Sequence, residues 1–323
     1  LMRKYTLLCL VLLLAFSLSA VSAQDNANVL VMARAADTTG LDPHTQTAFA
    51  SFRLLELIYE PLVNLDAELN VVPSLAESWT FSDYAQTLTF NLRQGVTFHN
   101  GAEFTAEDVV ASMNRILDEA TGAAARANYL SIASIDTPDD YTVVFNLSAP
   151  DVPLLAALAT TNAAIADSAD IESGDIATAA NGTGPFMLES WTPEETTMLA
   201  ANPIGGADGI DIRIIPDETS ILAALRAGTI DFAILNDPLV ATLLIDDSTV
   251  TLNRIPSIAY HVLQLRAAVE PLDKLEVRQA ISCAIDRQEV LDVASLGEGQ
   301  VTGPLTMAAF ALPTDELFCY EKD

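Results

Sequence analysis

Histidine is scarce in this chain. There are three in 323 residues: His44, His99 and His261. None stands at ligand spacing from another, so a histidine-built metal site is not expected. Each reads as a surface or capping residue. Basic residues are short as well: 15 Lys+Arg against 44 Asp+Glu leave a formal charge of −29. Such a surface repels phosphate backbones and anionic lipid, which excludes nucleic-acid binding. The acidity itself names no ligand. Cysteine is limited to Cys9, Cys283 and Cys319, too few for a small disulfide-built scaffold. The chain has no G-x-S-x-G elbow and no H-E-x-x-H helix. Gly297, Gly299 and Gly303 approach a dinucleotide loop, but with one residue too many and after a helix pattern instead of a strand. No cofactor is expected.

Apolar runs long enough to span a membrane are also missing. The longest, Leu7 to Leu18, falls short of the roughly 20 residues a spanning helix needs. Arg3 and Lys4 precede it, and Val21-Ser22-Ala23 follows before Gln24. This is the pattern of a secretory signal peptide over 1–23, weighed against a membrane anchor and preferred on length. Cys9 sits inside the apolar run, and no cysteine would open the mature chain as in a lipoprotein. The expected location is a periplasm or the extracellular space. That compartment permits a bridge between Cys283 and Cys319, although nothing in the sequence brings them together.

What is present is alternation of strands and helices. Val29 to Met32 is a short buried-type strand, and Leu41-Asp42-Pro43 turns the chain. Asp42 is expected to hold that turn through a side-chain-to-backbone hydrogen bond. Phe49, Phe52, Leu55, Tyr59 and Leu62 follow at helical spacing, with Pro61 closing the element. Thr87 to Arg93 and Tyr141 to Leu147 alternate as half-buried strands. Leu154 to Ala166 is an alanine-rich helix or a buried turn. Asn181 to Pro185 is a loop from which Phe186-Met187-Leu188 leaves as a strand. Ile210 to Ile215 is a strand, Thr219 to Ala227 a helix stopped by Gly228, and Ile230 to Leu235 another strand. Glu276 to Val293 reads as one helix with Gly297 past its end. The class is α/β.

Residues 90–117 hold His99 beside Glu103, Glu107 and Asp108, and raise the question of a catalytic or metal cluster. The simpler reading is structural. Asn100-Gly101 is a tight-turn dipeptide. Thr105 stands at a helix N-cap, where its hydroxyl can accept the Asp108 amide while the Asp108 carboxylate reaches back. Glu107 and Asp108 suit the positive end of the helix dipole. Val109, Met113, Ile116 and Leu117 form the buried face.

In order along the chain, several motifs resemble the extracellular solute-binding proteins of family 5. They are Leu41-Asp42-Pro43-His44; Tyr59-Glu60-Pro61-Leu62 with Pro73-Ser74-Leu75-Ala76-Glu77-Ser78-Trp79; Phe90-Asn91-Leu92-Arg93 with Phe104-Thr105-Ala106-Glu107-Asp108-Val109; Gly182-Thr183-Gly184-Pro185-Phe186; and Val277-Arg278-Gln279-Ala280-Ile281 with Ala284-Ile285-Asp286-Arg287. The chain departs from the family at Pro203-Ile204-Gly205-Gly206 and at Leu263-Gln264-Leu265-Arg266. It also stops at Asp323, where family members continue, so it reads as a fragment.

The resemblance implies a two-lobed periplasmic binding protein type 2 fold with an extra subdomain inserted in lobe I. Lobe I would take 24–44 and 178–265, the subdomain 45–177, and the second large lobe would begin over 266–323. It implies no enzyme but a monomeric receptor that hands a peptide or other small solute to the membrane subunits of an ATP-binding-cassette importer. A nickel-chelate receptor of the same fold is the runner-up. A secreted hydrolase using an acidic pair is the rival from another class. In peptide-binding relatives the residues after the Leu-Asp-Pro turn run along the ligand, which points to Thr45, Thr47, Ala48 and Phe49. For Phe49 a core position is the alternative. Asn162 lies where some relatives place a cleft residue, with a capping role as its alternative.

Overall fold

The computed structural model describes residues 28–202, 207–254, 263–299 and 301. The 1–23 segment, His261 and Cys319 lie outside them. The chain divides into two compact units at Ile215/Pro216.

In the first unit, β1 (Val29–Arg34) leads through the Leu41–His44 turn to α1 (Phe49–Ile58). Buried Leu54, Leu55 and Ile58 form the inner stripe of α1. The hairpin of β2 (Val63–Leu65) and β3 (Val71–Pro73) follows, then β4 (Ala76–Phe81) and β5 (Thr87–Leu92). Helix α2 (Ala106–Leu117) precedes β6 (Ile132–Asp139) and β7 (Thr142–Leu147). The run after Pro153 is mostly turn: α3 (Leu154–Ala157) is one helical turn and Thr161–Ala163 a 3-10 turn. Then come α4 (Ser168–Ser173), α5 (Ile176–Ala179), β8 (Phe186–Thr192), β9 (Thr196–Ala201) and β10 (Gly209–Ile214).

Two sheets result. One is four-stranded, in the order β4-β5-β7-β6, and its pairs are antiparallel. Its inward rows are the apolar members of the alternating strands: Leu88, Phe90 and Leu92 face the same core as Val143, Phe145 and Leu147. Phe90 and Phe145 meet edge to face with centroids 5.5 Å apart. Val109, Met113 and Ile116 of α2 close this core. In the other sheet β1, β10, β9 and β8 are neighbours in that order. β1 runs parallel to β10, with Leu30 opposite Ile210, and the remaining pairs are antiparallel. Ile210, Ile212 and Leu199 from this sheet share a core with α1 and Leu41.

The second unit contains α6 (Glu218–Arg226), β11 (Phe232–Ala233), α7 (Pro238–Thr242), α8 (Leu275–Ala284) and α9 (Arg287–Ala294). Leu222, Val240 and Leu244 are its buried cluster. Two expectations change here. The strand over Ile230 to Leu235 is reduced to Phe232–Ala233. The single helix over Glu276 to Val293 is two helices: Ile285 is extended, and the Asp286 carboxylate accepts from the amides of Gln288 and Glu289 to start α9. An internal Asp can cap a new helix as readily as it can sit on the exposed face of an old one, so apolar period alone does not see the break. Neither α8 nor α9 buries a residue. Cys283 is half-buried on α8. Among the described residues no helix is long and apolar enough to cross a membrane.

Candidate functional site

The stretch around His99 is scaffolding. Gly101 adopts φ +89° at the turn, Phe98 N–H donates to Ala102 O at 2.8 Å, and Thr97 bridges Glu103. This small hairpin docks on the glycine loop. His99 N–H donates to Gly182 O and His99 Nε2 donates to Gly184 O, both at 2.9 Å. Burial holds the His99 pKa below its ordinary value, against the pull of the carbonyls around it. The loop lies against the end of α1: a Cβ on Gly182 would fall 2.0 Å from Ile58 O. Thr183 Oγ1 donates to Glu60 at 2.9 Å. Burial raises the Glu60 pKa despite that bond.

Thr105 and Asp108 form the capping box that the spacing predicts, with the Asp108 carboxylate as its tighter half. Oδ2 accepts from Thr105 N–H at 2.8 Å and from Thr105 Oγ1 at 3.4 Å, while Oδ1 accepts from Ser168 N–H at 2.9 Å. One buried side chain thus serves the first turns of both α2 and α4. Among the described residues no group of three His, Cys, Asp or Glu side chains could hold a metal ion.

The Leu41–His44 turn is the most heavily tied part of the unit. Asp42 Oδ1 accepts from His44 N–H at 3.0 Å, as the sequence predicts. Arg115, from α2, adds a fork: Nη1 lies 3.0 Å from Asp42 Oδ1 and Nη2 2.5 Å from Oδ2. Burial would raise the Asp42 pKa, but the hydrogen bonds and charge of Arg115 outweigh it and hold the carboxylate below its ordinary range. His44 is fully buried, not a surface or capping histidine. It can be buried because both ring nitrogens are satisfied: Nε2 donates to Ala164 O at 2.9 Å and Nδ1 accepts from Arg115 Nη1 at 2.7 Å. Burial first, and Arg115 with it, lower its pKa from 6.5 to about 4.

Beyond this turn the chain opens to solvent. Thr45 is half-buried and still held, its N–H and Oγ1 both 3.4 Å from Asp42 O. Gln46 is buried and accepts from Thr39 Oγ1 at 2.7 Å, a contact the sequence did not signal. Asn162 spends its amide group on this segment, donating to Pro43 O at 2.8 Å and to Gln46 O at 3.1 Å. Thr47 is exposed, and among the described residues its backbone N–H and C=O make no hydrogen bond. Ala48 is half-buried and extended at the start of α1. Phe49 is 70 % exposed, so it is not a core residue of this unit. It meets Phe52 edge to face at 6.4 Å. The arrangement offers a fixed turn, a short link through Thr47 whose peptide group makes no hydrogen bond among the described residues, and an exposed aromatic ring.

Residues 70–318 match the family described as bacterial extracellular solute-binding proteins, family 5 Middle. The chain belongs to this family. It is 31 % identical over 318 residues to the probable D,D-dipeptide-binding periplasmic protein DdpA of Escherichia coli, covering 93 % of this chain and 61 % of that one. To the glutathione-binding protein GsiB of the same organism it is 30 % identical over 281 residues, 84 % of this chain and 54 % of the relative. Among solved structures it resembles the periplasmic binding protein DppA of Helicobacter pylori in complex with the peptide STSA. There the TM-score is 0.76 and the identity 28 %, over 85 % of this chain and 60 % of that one. The chain therefore spans little more than half the length of these relatives.

Proposed function

We propose that this chain is part of an extracytoplasmic receptor that captures a peptide or similar small solute and delivers it to the membrane subunits of an ATP-binding-cassette importer. The observation that carries the reading is the Thr45–Phe49 segment: an exposed peptide group at Thr47 beside an exposed Phe49, on a turn fixed from below. An extended backbone with free hydrogen-bonding groups can pair with a peptide as an added strand and tolerate varied side chains. The ligands in the names of the relatives, a D,D-dipeptide, glutathione and the peptide STSA, share peptide-like backbone and support this class.

The reading includes a lobe I built from 24–44 and 178–265, an inserted subdomain over 45–177 and the start of a second large lobe over 266–323, closing on the solute. It includes export by the 1–23 segment and action as a monomer, without catalysis. The test is calorimetric titration of the natural protein with peptides of two to five residues and with glutathione, followed by mass spectrometry of the recovered solute. Saturable binding with the solute returned intact supports a receptor. Cleaved peptide would identify the hydrolase instead.

A further inference from the structure

We propose that Arg115 is a positioning residue for the solute-facing segment Thr45–Phe49, acting through Asp42 and His44 and touching no solute itself. The proposal rests on the reading of that segment given above. Arg115 stands on α2, 73 residues from Asp42 and 71 from His44 in sequence. Its guanidinium always carries hydrogen on its nitrogens and cannot accept a bond. The 2.7 Å contact from Nη1 therefore makes His44 Nδ1 the acceptor, and Nε2 the atom that donates to Ala164 O. The ring is held in one tautomer and one orientation.

Around that ring the backbone of the turn is tied from several directions. Asp42 takes the His44 amide, Ala124 N–H donates to His44 O at 3.1 Å, and Asn162 holds the carbonyls of Pro43 and Gln46. Between Gln46 and the carbonyl of Ala48, which accepts from Ser51 and Phe52 N–H at the start of α1, Thr47 is exposed and makes no backbone hydrogen bond among the described residues. A segment this short, leaving an anchored turn, has its path set by that turn. Such preorganisation raises affinity by lowering the ordering cost of binding. A buried ion pair is weak evidence for stability, and fixing register is its best-attested use. Lysine at 115 would keep the charge but, as a point donor, could not serve both Asp42 oxygens and His44 Nδ1 together.

The experiment is amide hydrogen exchange on the natural protein without solute, wild type against Arg115→Lys, with calorimetry using the peptide Ser-Thr-Ser-Ala. The amides of His44, Thr45 and Ala124, which the turn holds, are expected to exchange at least about tenfold faster in the variant, with those of β5 and β7 within about twofold. The peptide is expected to bind about tenfold more weakly, through faster release. Unchanged exchange at His44, Thr45 and Ala124 overturns the positioning role. Loosened exchange in a protein whose wild type binds no peptide supports the role and overturns the receptor reading, so the two failures are distinct.

Should Arg115→Lys not fold, wild type carries the test. Protonating His44 removes the Nδ1 acceptor and sets a second cation against Arg115. Asp42, on the same turn, is the one carboxylate acting on it directly; Tyr59, past the end of α1, faces Asp42, Arg115 and Asp170. The 162–164 stretch presents only the Asn162 amide and the Ala164 carbonyl to the turn and the ring. Exchange at His44, Thr45 and Ala124, corrected for intrinsic rate, is expected to rise from about pH 6 to about pH 4 ahead of β5. A flat corrected rate overturns the proposal.

Discussion

Arg115 Nη1 sits 2.7 Å from Nδ1 of His44, which fixes a wholly buried histidine as the neutral imidazole. The consequence is a pH-dependent stability with a defined sign. His44 titrates at about 4 in the folded chain against an ordinary 6.5, because burial disfavours the charged form. Between those values the unfolded chain binds more protons, so stability rises with pH. The contribution is complete above the ordinary value and is lost as pH falls through the folded one. It amounts to about 3 kcal/mol. Urea unfolding between neutral pH and about pH 4 should show it, and a midpoint that does not fall with acidification would contradict the assignment.

The shared cap at Asp108 gives an ordering of two substitutions. Asp108→Ala removes acceptors from Thr105 N–H and Ser168 N–H together. The loss should be about 2–3 kcal/mol, a cap plus a stranded donor in a buried place. Thr105→Ala should cost less than about 1 kcal/mol, because the carboxylate carries most of the cap. Thermal or chemical unfolding of both variants checks the order, and a larger loss at Thr105 would return the main role to the hydroxyl.

Gly182 should admit no side chain. An alanine Cβ there would fall 2.0 Å from Ile58 O, a backbone atom that cannot move without shifting the end of α1. Gly182→Ala is expected to cost more than about 3 kcal/mol, the upper range of overpacking. Gly95→Ala serves as a comparison with open space around it. It meets only the strain of its φ of +74°. Equal melting temperatures for the two variants would contradict the close approach.

His99→Ala should destabilise by about 1 kcal/mol, because Gly184 O loses one donor but keeps Asn202 Nδ2 at 3.1 Å, and the backbone bond to Gly182 O remains. Peptide affinity should stay within about threefold, since the histidine belongs to the scaffold. A large affinity loss at unchanged melting would place His99 in the solute site instead.

Local chemistry made much of this legible in advance. Asn100-Gly101, the Thr105–Asp108 helix start and the alternation of Leu88, Phe90, Val143 and Phe145 all act through neighbours or one sheet face, so spacing exposes them. The Asp42 turn was visible for the same reason. Its partner Arg115 was not, because a contact between residues 73 apart leaves no local pattern. Nor was the burial of His44, which depends on that same distant cation. The Asp286 cap was hidden by an apolar period that continues across the break between α8 and α9. Asn162 and the segment after the turn came from family resemblance. Their geometry adds what resemblance lacks: Asn162 holds the turn, while Thr47 and Phe49 face outward.

Phe49→Ala tests that outward face most directly. The ring is 70 % exposed, so its loss should move stability by no more than about 0.5 kcal/mol. The measurement is the calorimetric Kd of the tightest-binding peptide in the two-to-five-residue panel, for wild type and variant, with melting temperatures alongside. A loss of about tenfold or more in affinity at unchanged melting is the predicted result, as for an aromatic anchor at an interface. Equal affinity, or a wild type that binds no peptide, would contradict the assignment of Thr45–Phe49 as the solute-facing segment.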